Sequence, residues 1–262
     1  VLHLVDRPQP EGLLVRIEID ALSVRYRSHL ALDTVSLSAH PGEVLGVIGP
    51  NGSGKSTLLK AIAGVAAASG SIRFDGMSKR PAVIGYMPQG IEAKAALSVL
   101  EVVLLGRLGR LGLRVSRTDL EAASTILDEI GIAALAGRDI GALSGGQRQL
   151  VFLAQALAAS PSILILDEPL SALDIRHQLE ISALVRRLTA ERALTTLIVL
   201  HDLPCAARLA DRIAILREGR LVAVGTVADV LTTANVRAAF DVEASIGQDE
   251  TGLPVVQSLR LS

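Results

Sequence analysis

The stretch GPNGSGKST, Gly49 to Thr57, holds a glycine, four residues, and then Gly54, Lys55 and Ser56, between an apolar run, EVLGVIG, and a helix-forming one, KSTLLKAIAGV. Glycines let backbone N–H groups wrap phosphate oxygens, the Lys55 ammonium brings charge to the outer phosphates, and the Ser56 hydroxyl can reach a magnesium ion. Gly49, Pro50, Asn51, Gly52, Ser53, Gly54, Lys55, Ser56 and Thr57 are therefore candidate contacts to a nucleoside triphosphate. The run ILILDE ends in Asp167 and Glu168, where carboxylates are costly unless they meet a cation or polarise a water. Asp167 is the candidate magnesium ligand, and Glu168 the candidate general base for an attacking water, a role worth about 10²–10⁴ in rate.

Three weaker candidates join them. His201 follows TTLIVL, where an imidazole can touch a terminal phosphate or hold Glu168 and its water; as a bare residue type it is as well a helix cap. Gln89, after GYMP, can orient water or coordinate magnesium, though a loop glutamine is commonly plain polar surface. Tyr26, in VRYRS, can stack on an adenine ring or serve as an ordinary β-lobe aromatic. A second anion-binding place stands at LSGGQRQL, Leu143 to Leu150. There Ser144, Gly145, Gly146 and Gln147 lead into a helix-forming run and expose N–H groups at a positive helix end.

These residues need rigid elements to hold them. Alternating segments from Leu13 to Ala39 predict antiparallel strands with one covered face. EVLGVIG, the phosphate loop and KSTLLKAIAGV read as strand, loop and helix. SGSIRFDG reads as a short hairpin-like element and AVIGYMPQ as a further strand. Helical periodicity over about 91–159 predicts an inserted helical subdomain. After it, SILILDE, DIRHQLEISALVRRLTAE, LTTLIVLH and LPCAARLA alternate strand and helix, and RIAILREGRLVAVG reads as a hairpin. The expected organisation is a loose lead-in over 1–12, one domain over 13–240 and a short tail over 241–262. The fold class is α/β, a P-loop NTPase (RecA-like) core with an N-terminal antiparallel β lobe and an inserted α-helical subdomain.

Composition excludes other classes. With 26 basic against 27 acidic residues and only 2% aromatics, the chain has neither the charge nor the stacking surface that nucleic acid requires. Cys205 is the one cysteine, so no internal disulfide or cysteine-based zinc site can form, which fits a reducing compartment. No apolar run approaches the roughly 18–20 residues that cross a bilayer. The opening VLHLVDRPQPEG lacks the basic and continuous apolar regions of a secretory signal.

In order and completeness these blocks resemble the nucleotide-binding subunit of an ATP-binding-cassette (ABC) transporter over nearly the whole chain: Tyr26, the phosphate loop, Gln89, LSGGQ, ILILDEP, SALD at Ser171 to Asp174, and His201. The resemblance implies an ATPase that uses ATP and Mg2+. It implies that Ser144, Gly145, Gly146 and Gln147 contact ATP held by the phosphate loop of a second copy, with Asp174 linking the two sites. It implies separate transmembrane permease subunits, indirectly an extracytoplasmic substrate-binding protein, and a peripheral place on the cytoplasmic face of the inner membrane. LSGGQRQLVFLAQAL and SALDIRHQLE look most like importers of iron-siderophores, haem and cobalamin, the siderophore type foremost. In the helical region, Arg107, Arg110 and Arg114 of LLGRLGRLGLR can face the permease or anionic headgroups, or form a solvated basic edge. The leucine in DEPL and the PC pair in HDLPCAAR depart from the family's commonest wording without touching a phosphate-contacting position, and Pro204 suits a first helical turn.

Rival classes lack their own marks. A ribosome- or DNA-directed ABC protein carries two cassettes or a long coiled-coil arm, and a solitary kinase or GTPase needs an acceptor- or guanine-reading motif. An exporter subunit remains an alternative to an importer.

Overall fold

In the computed structural model the described residues are 14–90, 96–107, 115–171, 173–248, 250, 252 and 254–261. The expected lead-in over 1–12, and Arg110 and Arg114, lie outside them. Strands β1 (Ile17–Tyr26) and β2 (His29–Ala39) pair antiparallel, as the alternation predicts. An irregularity at Ala21, whose φ is 49°, resets the alternation so that Ile17, Ile19, Leu22 and Val24 are all buried. Strand β3 (Val44–Ile48) then leads into α1 (Lys55–Ala63). The segment read as hairpin-like is instead β4 (Ser69–Phe74), which pairs along β1 and completes a lobe of order β2-β1-β4. Only a single bridge, Phe74 to Met77, remains of the local hairpin.

The central sheet adds β5 (Ile84–Met87), and after the helical region β6 (Ile163–Asp167). That region holds α2 (Val99–Leu105), α3 (Arg117–Ile130) and α4 (Gly145–Leu157). Each starts at a serine, Ser98, Ser116 or Ser144, that closes a capping box with Glu101, Asp119 or Gln147. Arg107 corrects an expectation. It neither faces outward nor lines a solvated edge, because its side chain is only 11% exposed, 3.0 Å from Asp119 Oδ1 and donating at 2.7 Å to the Ala158 carbonyl. It ties the end of α2 to α3 and α4.

Beyond β6 the chain alternates through α5 (Ile175–Glu191), β7 (Thr195–Val199), α6 (Leu203–Leu209), β8 (Arg212–Arg217) and β9 (Arg220–Thr226). The six-stranded order is β5-β6-β7-β3-β8-β9, parallel except for the last strand. Strands β3, β6 and β7 are buried at every residue, which is why they are written as unbroken apolar runs. Alternate residues feed two cores: Leu45, Val47, Ile163 and Ile165 pack with α1 and the β lobe, and Ile48, Leu164, Leu166 and Ile198 pack toward the other helices. The threonines of β7 are not wasted polarity. Thr196 Oγ1 pairs with Thr189 Oγ1 at 2.7 Å, and Thr195 Oγ1 donates to the Val15 carbonyl.

The chain continues into α7 (Val227–Val230) and α8 (Thr233–Phe240). The expected short tail forms an antiparallel hairpin, β10 (Val242–Gln248) with β11 (Pro254–Leu261), against α8 and α6.

Candidate active site

Because β3, β5, β6 and β7 run parallel and adjacent, their C-terminal ends deliver the phosphate loop, Gln89, Asp167 with Glu168, and His201 to one edge of the sheet. This is the crevice where open α/β sheets bind ligands. Two loop glycines are dictated by space. A Cβ on Gly49 would stand 2.0 Å from the Leu216 carbonyl oxygen, and one on Gly54 2.6 Å from the Ala31 carbonyl oxygen. Gly54 N-caps α1 with a φ of 100°, a left-handed conformation that costs glycine nothing. The first intrahelical bond runs from the Leu58 N–H to the Gly54 carbonyl at 2.9 Å. The amides of Gly54, Lys55, Ser56 and Thr57 thus have no partner within the helix and form an anion-binding end.

Lys55 arches back over this end, its buried ammonium donating to the carbonyls of Gly49 at 2.8 Å and Pro50 at 2.9 Å. Two of its three N–H donors are thereby used, and the third is left for a phosphate oxygen. Burial pulls the Lys55 pKa down, and the charges of Glu168 and Asp167 partly restore it. Ser56 Oγ donates to Asp167 Oδ1 at 2.9 Å. The other oxygen of Asp167 is buried without a hydrogen-bond partner. Burial, joined by the charge of Glu168, pushes the Asp167 pKa up more than the Ser56 bond and the charges of Lys60 and Lys55 pull it down.

An orphaned buried carboxylate oxygen beside a hydroxyl fits magnesium, which takes hard oxygen donors and keeps several of its sites for phosphate and water. Among the described residues no group of three His, Cys, Asp or Glu side chains can hold a metal, so an ion at Ser56 and Asp167 needs the nucleotide to complete its shell.

Glu168 takes a different environment from its neighbour because its φ of 57° turns the chain at the strand end. Its Oε2 lies 2.6 Å from His201 Nε2 and also accepts a hydrogen bond from the Gln89 amide. His201 thus makes the contact with Glu168 that is one of the expectations for it. Gln89 likewise contacts the carboxylate. Tyr26 ends β1 with an exposed ring, on the hairpin whose second strand abuts Gly54. Sequence reasoning passed over Tyr86, three residues before Gln89: its hydroxyl is buried without a partner, and burial followed by the charge of Asp167 pushes its pKa up to about 12.

The Ser144 to Gln147 turn is built separately. Ser144 Oγ accepts the Gln147 N–H at 3.3 Å, and Gln147 Oε1 accepts the Ser144 N–H at 3.1 Å. Among the described residues no hydrogen bond joins this turn to the phosphate loop. Asp174, the N-cap of α5, is exposed and accepts from His177, whose bonds hold its carboxyl below the usual range.

An anion-binding helix end, a buried carboxylate bonded to a hydroxyl and a second carboxylate held by a histidine and a glutamine meet at one sheet edge, and residues 32–171, more than half of the chain, match the ABC transporter family. The chain belongs to that family and is an ABC-type ATPase. It is 36% identical over 247 residues to the hemin import ATP-binding protein HmuV of Rhizobium etli, covering 88% of this chain and 93% of that one. It is 36% identical over 251 residues to the iron(3+)-hydroxamate import ATP-binding protein FhuC of Bacillus subtilis, covering 91% and 93%. It is 39% identical over 231 residues to the manganese transport system ATP-binding protein MntB of the same organism, covering 86% and 92%. Among solved structures, an inward-facing metal-chelate type ABC transporter aligns with TM-score 0.82 and 28% identity over 93% of this chain and 98% of that chain. A dimeric ABC cassette, MJ0796, aligns with TM-score 0.72 and 28% identity over 80% and 98%.

Proposed function

We propose that two copies of this chain close around two ATP molecules, and that hydrolysis there drives an importer whose membrane-crossing part is a separate permease. The observation that carries this is a separation. The phosphate loop, Asp167, Glu168, Gln89 and His201 meet at one sheet edge, while the Ser144 to Gln147 turn bonds to none of them and a Cβ on Gly145 would meet nothing within 4 Å. Two anion-binding ends in one chain both find work if the turn completes a neighbour's site. The dimeric relative supports the pairing.

In this arrangement Lys55 and the amides of Gly54 to Thr57 hold the β- and γ-phosphates in line for attack. Ser56 and Asp167 would hold a magnesium ion, which when bound would supply charge neutralisation of the phosphates. Glu168 takes the proton of the attacking water, and His201 fixes the carboxylate that does so. Gln89, at the passage from the sheet to the helical subdomain, contacts the same carboxylate and can exchange it for water. Tyr26 stacks on the adenine. The serine, glycines and Gln147 of the partner copy bind the terminal phosphate, each helix-end contact adding about 0.3–2 kcal/mol, so closure needs several together. Ser144→Arg tests this step. Single-chain ATP binding persists and the ATP-dependent dimer disappears; a dimer that still forms removes the assignment.

Among the described residues no helix is long and apolar enough to cross a membrane. We place the chain on the cytoplasmic face of the inner membrane, bound to its permease, with an extracytoplasmic substrate-binding protein upstream. For cargo we favour an iron-siderophore, in line with the hydroxamate and hemin relatives; the manganese relative supports a bare metal ion as the second reading. Pulling the chain from detergent-solubilised membranes and identifying its companions tests both. A siderophore-type permease and binding protein support the first reading, and a metal-ion permease replaces it.

A further inference from the structure

Gly145 and Gly146 are adjacent, but their surroundings differ. A Cβ on Gly145 would stand in open space, whereas one on buried Gly146 would lie 2.6 Å from His177 Cδ2, 3.0 Å from Cγ and 3.2 Å from Nε2. The imidazole occupies the place that any larger residue would need. Its other edge is fixed by Asp174, whose Oδ1 lies 2.8 Å from His177 Nδ1 and also accepts the His177 backbone N–H at 2.9 Å. The carboxylate thus makes Nδ1 the protonated nitrogen and locks the ring. One half-buried histidine therefore bridges the N-terminus of α5, where Asp174 stands, and the N-terminus of α4, where the serine-glycine turn stands.

We infer that His177 is a positioning residue for the face this chain presents to a second copy: it fixes the distance between Asp174 and the Ser144 to Gly146 turn. The inference rests on the two-copy function proposed above. Without the ring, Asp174 keeps only backbone donors, from His177 and Arg176, and the turn loses the wall behind Gly146. Both then reach the neighbouring nucleotide in a spread of geometries, and misplacement by about 1 Å can cost as much as 10² in such a site. Glycine at 146 and histidine at 177 are on this view a matched pair, separated by 31 positions and legible only in space.

The test uses Glu168→Gln protein, in which slow hydrolysis preserves ATP-bound dimers, and reads dimerisation by light scattering against ATP concentration. Binding of a fluorescent ATP analogue to the monomer, and the melting temperature, are measured beside it. His177→Ala leaves monomer binding within about twofold and raises the ATP needed for half-dimerisation about tenfold, as loss of one positioning contact should. His177→Asn, whose amide can still donate to Asp174, recovers dimerisation to within about threefold of the parent. Gly146→Ala abolishes the dimer by collision with the ring, and Gly146→Ala/His177→Ala dimerises better than Gly146→Ala alone. Dimerisation of His177→Ala at parental ATP, or a double variant no better than Gly146→Ala, overturns the role of His177 while leaving the two-copy function standing. A Glu168→Gln parent that stays monomeric in ATP overturns both.

Discussion

Replacing Asp167 by asparagine should stabilise the nucleotide-free protein while abolishing its response to magnesium. Asp167 is 1% exposed, one of its oxygens has no partner, and burial raises its pKa despite Ser56 and two lysines. Burying a carboxylate costs several kcal/mol, and a hydrogen bond to the charged group returns about 1.5–3 kcal/mol. Since the net direction favours the neutral form, asparagine relieves what remains of that cost, and its carbonyl can still accept the Ser56 hydroxyl. For a domain of this size each kcal/mol moves the melting temperature by about 2–4 °C. The sign with pH follows from linkage. A raised folded-state pKa means that the folded chain holds a proton the unfolded one has released, so wild-type stability falls as pH rises through that pKa. The gap between wild type and Asp167→Asn is therefore widest at neutral pH and closes in acid. Thermal unfolding in EDTA, then with ATP and with ATP plus magnesium, reads every part. A variant that melts below wild type in EDTA, or that keeps a magnesium-dependent rise, refutes the idea that Asp167 is held charged for a cation.

Glu168→Gln lowers steady-state phosphate release by about 10²–10⁴ and leaves ATP affinity near wild type, because the amide cannot take the proton of water; near-wild-type turnover removes Glu168 as base. His201→Ala lowers kcat with little change in KM for ATP, since its contact is to Glu168 and not to the phosphate loop; a change confined to KM contradicts that placement. Arg107→Ala lowers the melting temperature more than Arg187→Ala does. Arg107 is largely covered where it meets Asp119 and Ala158, and the Arg187 pair with Glu191 is exposed. Equal melting temperatures contradict a structural role for Arg107.

What the sequence disclosed follows from where its information is local. The phosphate loop, ILILDE and TTLIVLH declare themselves because a strand buried on both faces must be continuously apolar and must end where its polar cargo begins. The helix start at Ser144 to Gln147 was legible because the hydroxyl, the glycines and the helix-forming run are contiguous in the chain. Pairings between distant segments left no such trace. Nothing in SGSIRFDG states that it will pair with β1, some 50 residues earlier, because an edge strand carries the same alternation whichever neighbour it finds. Arg107 looked like surface charge because its partners, Asp119 and Ala158, are brought to it only by the packing of α2, α3 and α4. The tail looked short, yet a hairpin needs few residues when α8 and α6 supply the surface it covers. The contact between His177 and Gly146 is of the same kind.

The most direct measurement of a shared active site mixes two inactive proteins. Lys55→Ala chains lack a working phosphate loop and Ser144→Arg chains lack a working turn, so neither can hydrolyse ATP alone. A mixed pair still assembles one whole site, from the loop of one chain and the turn of the other, and phosphate release should reappear on mixing. Mixtures as silent as their components, or full turnover by Ser144→Arg chains alone, would contradict completion of each site by a second copy.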